Sequence, residues 1–212
     1  MTDMQLRTRA ADPQRIDLKV ISGFVEPGAR VLDVGCGDGA LLQRLEEEKE
    51  VDGRGIELSQ RGVNEAVARG LSVVQGDADH DLATYPDGAF DFVILSQTLQ
   101  ATHNPRIVLE QLLRIGRKVV VSFPNFGNWR VRGQFVLSGR MPITEDLPYS
   151  WYDTPNIHFC TVRDFVRLVE EVDARIEKAV ALYGSGRVIN RRVRLSLWNV
   201  LADQAIFLLS RR

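Results

Sequence analysis

Residues 31–39, Val-Leu-Asp-Val-Gly-Cys-Gly-Asp-Gly, constrain the fold of this chain more than any other stretch. Val31, Leu32 and Val34 are apolar and mostly β-branched, as in a buried strand, and Ala40-Leu41-Leu42-Gln43-Arg44-Leu45 then begins a helical repeat. Between them the chain must leave a strand, reverse and enter a helix within a few residues. Gly35, Gly37 and Gly39 permit backbone angles closed to other residues and let a ligand approach the main chain. The spacing predicts a strand–turn–helix unit built around a bound molecule.

Charge narrows the identity of that molecule. Gly35, Gly37 and Ala40 satisfy the G-x-G-x-x-G/A pattern of dinucleotide sites, where a pyrophosphate lies at the helix N-terminus. Asp33 and Asp38, however, place carboxylates beside the turn. They disfavour a pyrophosphate and favour an ammonium or sulfonium group. S-Adenosylmethionine carries both cations and no phosphate, so it suits the turn better than a nicotinamide dinucleotide. Cys36 fits as a small filler within the turn.

Further polar groups fall where an α/β site requires them. Gly55-Ile56-Glu57-Leu58 reads as the end of a second strand, roughly 20 residues past the glycines, where an acid is expected to bind a ribose diol. Glu57 would accept both ribose hydroxyls and clash with a 2′-phosphate. A third strand, residues 71–75, leads into Gly76-Asp77-Ala78-Asp79, where Asp77 can accept from an adenine amino group and Asp79 reads as a loop or cap residue. Leu58, Ala78 and Ser96 complete the candidate cofactor set with Asp33, Gly35, Cys36, Gly37, Glu57 and Asp77.

Composition bounds the rest. With 212 residues, 44% of them hydrophobic, the chain can bury one good core. A net charge of -1 supplies no general drive toward nucleic acid or membrane. No apolar run approaches the length of a membrane span, and the first residues lack a signal-peptide core, so a cytoplasmic location is expected. Two cysteines and three scattered histidines suggest neither a disulfide framework nor a metal site.

Strand and helix patterns alternate as in a doubly wound sheet. Asp12-Pro13 supplies a helix start, followed by the apolar positions Ile16, Val20, Ile21 and Phe24. Helices are expected at about residues 40–49, 60–69, from Pro105 through Ile115, and from a capped start at Thr161 to Glu171; strands four and five span about 90–95 and 118–123. Residues 126–137 contain an amphipathic stretch, and 141–159, rich in proline and aromatics, reads as a structured lid over the cofactor edge. Two closing strands, 176–182 and 205–209, are joined by a basic segment, Arg187 to Arg194. The expected organisation is one domain over 1–212, with an N-terminal extension of about 1–12 and an inserted aromatic segment of about 125–160.

The glycine turn, Glu57 and Asp77 together resemble the cofactor motifs of class I S-adenosylmethionine-dependent methyltransferases. That resemblance implies an α/β, Rossmann-like fold: a seven-stranded, mostly parallel sheet with one antiparallel strand near its end and helices on both faces. From about Asp17 onward the chain also resembles the MetW family of methionine biosynthesis proteins. The resemblance rests on residues 90–100 (FDFVILSQTLQ), 123–129 (FPNFGNW) and 148–161 (PYSWYDTPNIHFCT). It implies an accessory role: binding S-adenosylmethionine or S-adenosylhomocysteine and supporting a homoserine O-acyltransferase through complex formation. The alternative is a methyltransferase acting on a small molecule. No side chain is assigned as a catalytic base, so whether the chain is an enzyme stays open. Gln97, Gln100, His103 and Asn125 are the candidate substrate contacts, and Trp151 and Tyr152 the candidate partner contacts. The aromatics Trp129, Phe135, Trp151, Tyr152 and Phe159 either form a protein-binding patch or close the core around the cofactor.

Overall fold

A computed structural model describes residues 16–144, 147–184, 187–189 and 195–212. The Asp12-Pro13 helix start, the N-terminal extension and Arg191, Arg192 and Arg194 of the basic segment lie outside the described residues. The strands are β1 (Arg30–Val34), β2 (Asp52–Glu57), β3 (Val73–Gln75), β4 (Phe90–Ser96), β5 (Gly116–Pro124), β6 (Ala174–Tyr183), β7 (Arg187–Val188) and β8 (Gln204–Arg211). The helices are α1 (Ile16–Ser22), α2 (Ala40–Lys49), α3 (Gln60–Ala68), α4 (Pro105–Ile115), α5 (Trp129–Ser138), α6 (Val162–Glu171) and α7 (Leu195–Leu201).

They form one sheet in the order β3-β2-β1-β4-β5-β8-β6-β7. β3, β2, β1, β4 and β5 are mutually parallel, and β8 runs antiparallel between β5 and β6. The sheet thus has eight strands rather than the expected seven. The additional one is the two-residue β7, which pairs antiparallel with the end of β6 at the sheet edge. α7 is a second departure: the join between the closing strands contains a helix. Its buried face, Trp198, Asn199 and Ala202, follows a helical spacing that the preceding arginines obscured.

The strands bury both faces, and their residues alternate between two cores with period two. Val31, Phe92, Ile94, Val120, Ile206 and Leu208 face α1 and α2. Leu32, Val34, Val93, Leu95, Val119, Val121 and Phe207 face α4, α6 and α7. On the second face Phe165 of α6 packs 4.8 Å from both Phe123 and Phe207, ring centre to ring centre, and all three are fully buried. Such aromatic pairs add about 0.5–1.5 kcal/mol each beyond area burial.

Asn125 and Asn128 hold together the elements around the β5 exit. Asn125 Nδ2 donates to the carbonyls of Asn199 (3.1 Å) and Ala202 (2.8 Å), and its Oδ1 accepts the N–H groups of Gly127 (3.0 Å) and Val162 (3.3 Å). Asn128 Nδ2 donates to the Ala202 carbonyl (3.0 Å) and to Asp203 Oδ1 (2.8 Å), while its Oδ1 caps α5 at Arg130 N–H (2.7 Å). The last carbonyls of α7 and first N–H groups of α6, unpartnered within their own helices, are therefore satisfied across the chain by asparagine amides. Replacing Asn125 with alanine orphans several buried groups at once, each costing about 1–3 kcal/mol. The Asn125→Ala variant is expected to lose at least about 3 kcal/mol of stability, measured by urea unfolding; an unchanged midpoint would contradict this role.

Candidate functional site

The parallel strands deliver their carboxyl ends to one edge of the sheet, and the glycine turn lies there between β1 and α2. Gly35, Gly37 and Gly39 all have positive φ, at 71°, 57° and 78°. Gly35 N–H donates to the Ile56 carbonyl (2.8 Å), which binds the turn to the end of β2. A Cβ on Gly35 would come within 2.5 Å of Thr98 Oγ1, so the turn rests directly on the β4 exit. Among the described residues nothing comes within 4 Å of where a Cβ on Gly37 would lie, leaving open space above the turn.

Glu57 is placed beside that space. Its Oε2 accepts Gly37 N–H (2.9 Å) and its Oε1 accepts Ser59 N–H (2.8 Å), so one carboxylate fixes both the turn and the start of α3. Each oxygen retains acceptor capacity for a further donor. Gly62 makes room for it: a Cβ there would meet Glu57 Cγ at 2.9 Å. Gly62, like Thr98, was not singled out from the sequence because its constraint comes from a non-adjacent loop. Leu58, next in the chain, is 65% exposed and presents an apolar surface at the same edge.

The acids of the turn differ in what they contribute. Asp33 is buried in β1, level with Gly55 and Ile94. Asp38 is held by its neighbours: its Oδ2 takes Arg69 Nη2 at 2.7 Å, and its Oδ1 accepts Ala40 N–H at the start of α2. Of the acids beside the turn, Asp38 is thus offset by a guanidinium 31 residues away in sequence.

At the β3 exit, Asp77 is partly exposed; its Oδ1 accepts Asp79 N–H (2.8 Å) and its Oδ2 lies 3.1 Å from His80 Nδ1. Ala78 packs against the core. Asp79 caps the segment leading into α4, accepting the N–H groups of His103 and Asn104 at 2.8 Å each. Burial opposes ionisation of Asp79, but these hydrogen bonds and the His103 ring outweigh it and hold its carboxyl below the usual range. His103 itself projects into solvent.

At the β4 exit, Ser96 Oγ pairs with Ser122 Oγ at 3.0 Å. Gln97 adopts a left-handed backbone (φ 57°), unusual for a residue with a side chain, and its Nε2 donates to Gln204 Oε1 at 3.2 Å. Gln100 is buried; its Nε2 donates to the Gln97 carbonyl (2.7 Å), whereas its Oε1 has no hydrogen-bond partner among the described residues. Asn125, by contrast, is 2% exposed, and its side chain is engaged in the clamp described above. A cavity of about 300 Å³ opens beside it, lined by Asn128, Arg130, Thr144, Leu147 and Asp203 among others.

This architecture matches known proteins in sequence and in shape. Residues 15–209 match the family model described as "Methionine biosynthesis protein MetW". The chain belongs to the MetW family. One relative, the bifunctional methionine biosynthesis protein MetXA/MetW of Rhodopirellula baltica, is 34% identical over 186 residues, 82% of this chain. The chain spans 30% of that relative's length. Among solved structures, the putative methyltransferase in complex with the Haloferax volcanii Trm112 activator gives a TM-score of 0.68 at 14% identity, covering 94% of this chain and 90% of that one. Magnesium protoporphyrin IX methyltransferase from Synechocystis PCC 6803, solved with bound S-adenosylhomocysteine, gives 0.64 at 16% identity, covering 92% and 82%. The fold is that of S-adenosylmethionine-dependent methyltransferases.

The stretches on which the family resemblance rests divide by role. Residues 123–129 form the asparagine clamp. The aromatic segment is anchored to the β4 exit, because Ile157 and His158 N–H both donate to the Gln100 carbonyl, at 2.8 and 3.0 Å. Its rings do not close a core: Trp151 and Tyr152 are 73% and 75% exposed and meet edge to face at 5.6 Å. Phe159 packs on Phe126 at 4.7 Å. Among the described residues, no helix is long and apolar enough to cross a membrane and no group of three or more His, Cys, Asp or Glu could hold a metal ion.

Both cysteines are uncharged in this setting. Burial, then the carboxylates of Asp33 and Glu57, raise the Cys36 thiol far above its ordinary value, and burial, then Asp164, pushes Cys160 up to about 12. The unfolded chain ionises its thiols near the ordinary value of about 8.5 while the folded chain does not, so this contribution is neutral below about pH 8 and destabilising above it. Urea midpoints are expected to fall more steeply above pH 9 for the wild type than for a Cys36→Ala/Cys160→Ala variant; parallel pH profiles would refute the assignment.

Proposed function

We propose that this chain binds S-adenosylmethionine or S-adenosylhomocysteine at the glycine turn and acts as an accessory protein of homoserine O-acylation, in complex with the acyltransferase. The observation that carries this reading is the Rhodopirellula baltica relative, named as one bifunctional polypeptide for a MetXA part and a MetW part. MetXA is taken here as the homoserine acyltransferase. Two activities joined in one chain there are expected to work as two associated chains here.

The turn suits the ligand on its own chemistry. Gly37 leaves open space, Glu57 offers carboxylate oxygens for the ribose hydroxyls, Leu58 an apolar surface for the adenine and Asp77 an acceptor for its amino group. Asp33, Gly35, Cys36, Ala78 and Ser96 complete the lining. When bound, S-adenosylmethionine would supply an activated methyl group or, in the accessory role, a measure of pathway output: its occupancy would report that output to the acyltransferase.

A second reading, methyl transfer to a small molecule, is supported by the β4 exit. There the left-handed Gln97 and the unpartnered Oε1 of Gln100 lie together, as a site for an acceptor's donor group would require. Its signature is release of S-adenosylhomocysteine on addition of a small acceptor.

The accessory reading is tested by purifying the chain with the homoserine O-acyltransferase of the same organism and measuring acylation with and without S-adenosylmethionine. A complex and a ligand-dependent rate are expected; their absence would transfer support to the methyltransferase reading. For the ligand, Glu57→Ala is expected to weaken S-adenosylhomocysteine binding by about 1–3 kcal/mol, roughly 5- to 150-fold, in titration calorimetry. Unchanged affinity would remove Glu57 from the site, and absence of binding by the wild type would remove the ligand.

A further inference from the structure

α5 carries its apolar stripe on the wrong side for this chain's own core. Its one buried residue is Val131. Trp129, Gly133, Val136 and Leu137 follow the spacing i, i+4, i+7, i+8, which places them on a single helical face opposite Val131. That face is open: Trp129 is 49%, Val136 79% and Leu137 89% exposed. Three successive apolar residues, 135–137, in solvent on one short helix are a liability in a protein with no partner.

Two observations indicate what covers the face. Among the described residues, nothing comes within 4 Å of the missing Cβ of Gly133, which is central to the face. Glycine in mid-helix disfavours the helix, and no contact among the described residues requires it here; a second backbone packed closely against the helix would. Arg130 and Arg132 border the stripe on either side and Arg140 follows the helix, with no Asp or Glu anywhere from Gln111 through Thr144. None of the three arginines makes an ion pair among the described residues. The complementary surface is an apolar helix or ridge flanked by carboxylates. A membrane would favour a large apolar residue at position 133, so the glycine argues for a protein.

We infer that this outward face of α5 is where the acyltransferase docks, presenting an apolar element bordered by acidic side chains. The inference rests on the partnership proposed above. α5 begins directly at the β5 exit, so a partner seated on it would stand at the same sheet edge as the glycine turn.

The test uses the full chain and the purified acyltransferase in a binding titration. Val136→Asp and Gly133→Leu are each expected to weaken the complex at least about tenfold, as interface-centre changes do. Val67→Asp, on the exposed surface of α3, is expected to bind like the wild type. Gly133→Ala keeps the proposal apart from misfolding: it should raise the melting midpoint by about 2–4 °C while weakening the complex. Wild-type binding that Val136→Asp leaves unchanged overturns the α5 assignment and spares the partnership. Absence of wild-type binding overturns both. Loss of a wild-type dimer in Val136→Asp by sedimentation assigns the face to a second copy, and loss of co-sedimentation with phosphatidylglycerol vesicles assigns it to a membrane; either result also overturns the proposal.

Discussion

A parallel strand must carry its chain back to the same end of the sheet before the next one can pair, and that constraint organises the whole molecule. It brings the exits of β1, β2, β3, β4 and β5 to one edge, at Val34, Glu57, Gln75, Ser96 and Pro124. Every group assigned to ligand or substrate arises within a few residues of those exits. The antiparallel β8, inserted between β5 and β6, widens the edge and brings Asp203 and Gln204 to it from the opposite chain direction. The glycine turn occupies one half of this edge, and the asparagine clamp and α5 the other.

The halves are held differently. Around the turn, main-chain atoms dominate: Gly35 and Cys36 donate to Ile56, and one carboxylate, Glu57, secures Gly37 and Ser59. This leaves little side-chain bulk above the turn and room for a ligand. Around the clamp, side-chain amides satisfy helix ends, and nearly every polar atom of Asn125 and Asn128 is used internally. At the same edge, the glycine-rich turn leaves open space while the asparagine clamp is closed upon itself.

What was legible in the sequence was local. The strand–turn–helix at residues 31–45 and the helix beginning at Pro105 follow from periodicity, glycine and proline, all of which act within a few residues. The alternating strands 90–95 and 118–123 were equally plain. What escaped was set by partners distant in the chain. Asp38 is offset by Arg69, Asn125 is consumed by α7 and α6, and Thr98 lies beneath Gly35; none of these pairings leaves a local pattern. α7 was hidden because its buried face is short and follows a run of arginines. The amphipathic stretch at 126–137 was visible as a stripe, but periodicity does not reveal which side of a helix meets the core. The structure places that stripe outward.

Thr98 supports the glycine turn, and two residues later the Gln100 carbonyl receives Ile157 and His158 N–H from the aromatic segment. A single short turn, Leu99–Ala101, joins the two attachments: Thr98 precedes it and Gln100 lies within it. Any substitution that resets the height of this turn alters the support of the glycine turn and the seating of the exposed aromatics together. The glycine turn and the exposed aromatic surface are thus two readouts of one three-residue turn, and neither can be reshaped from there without the other.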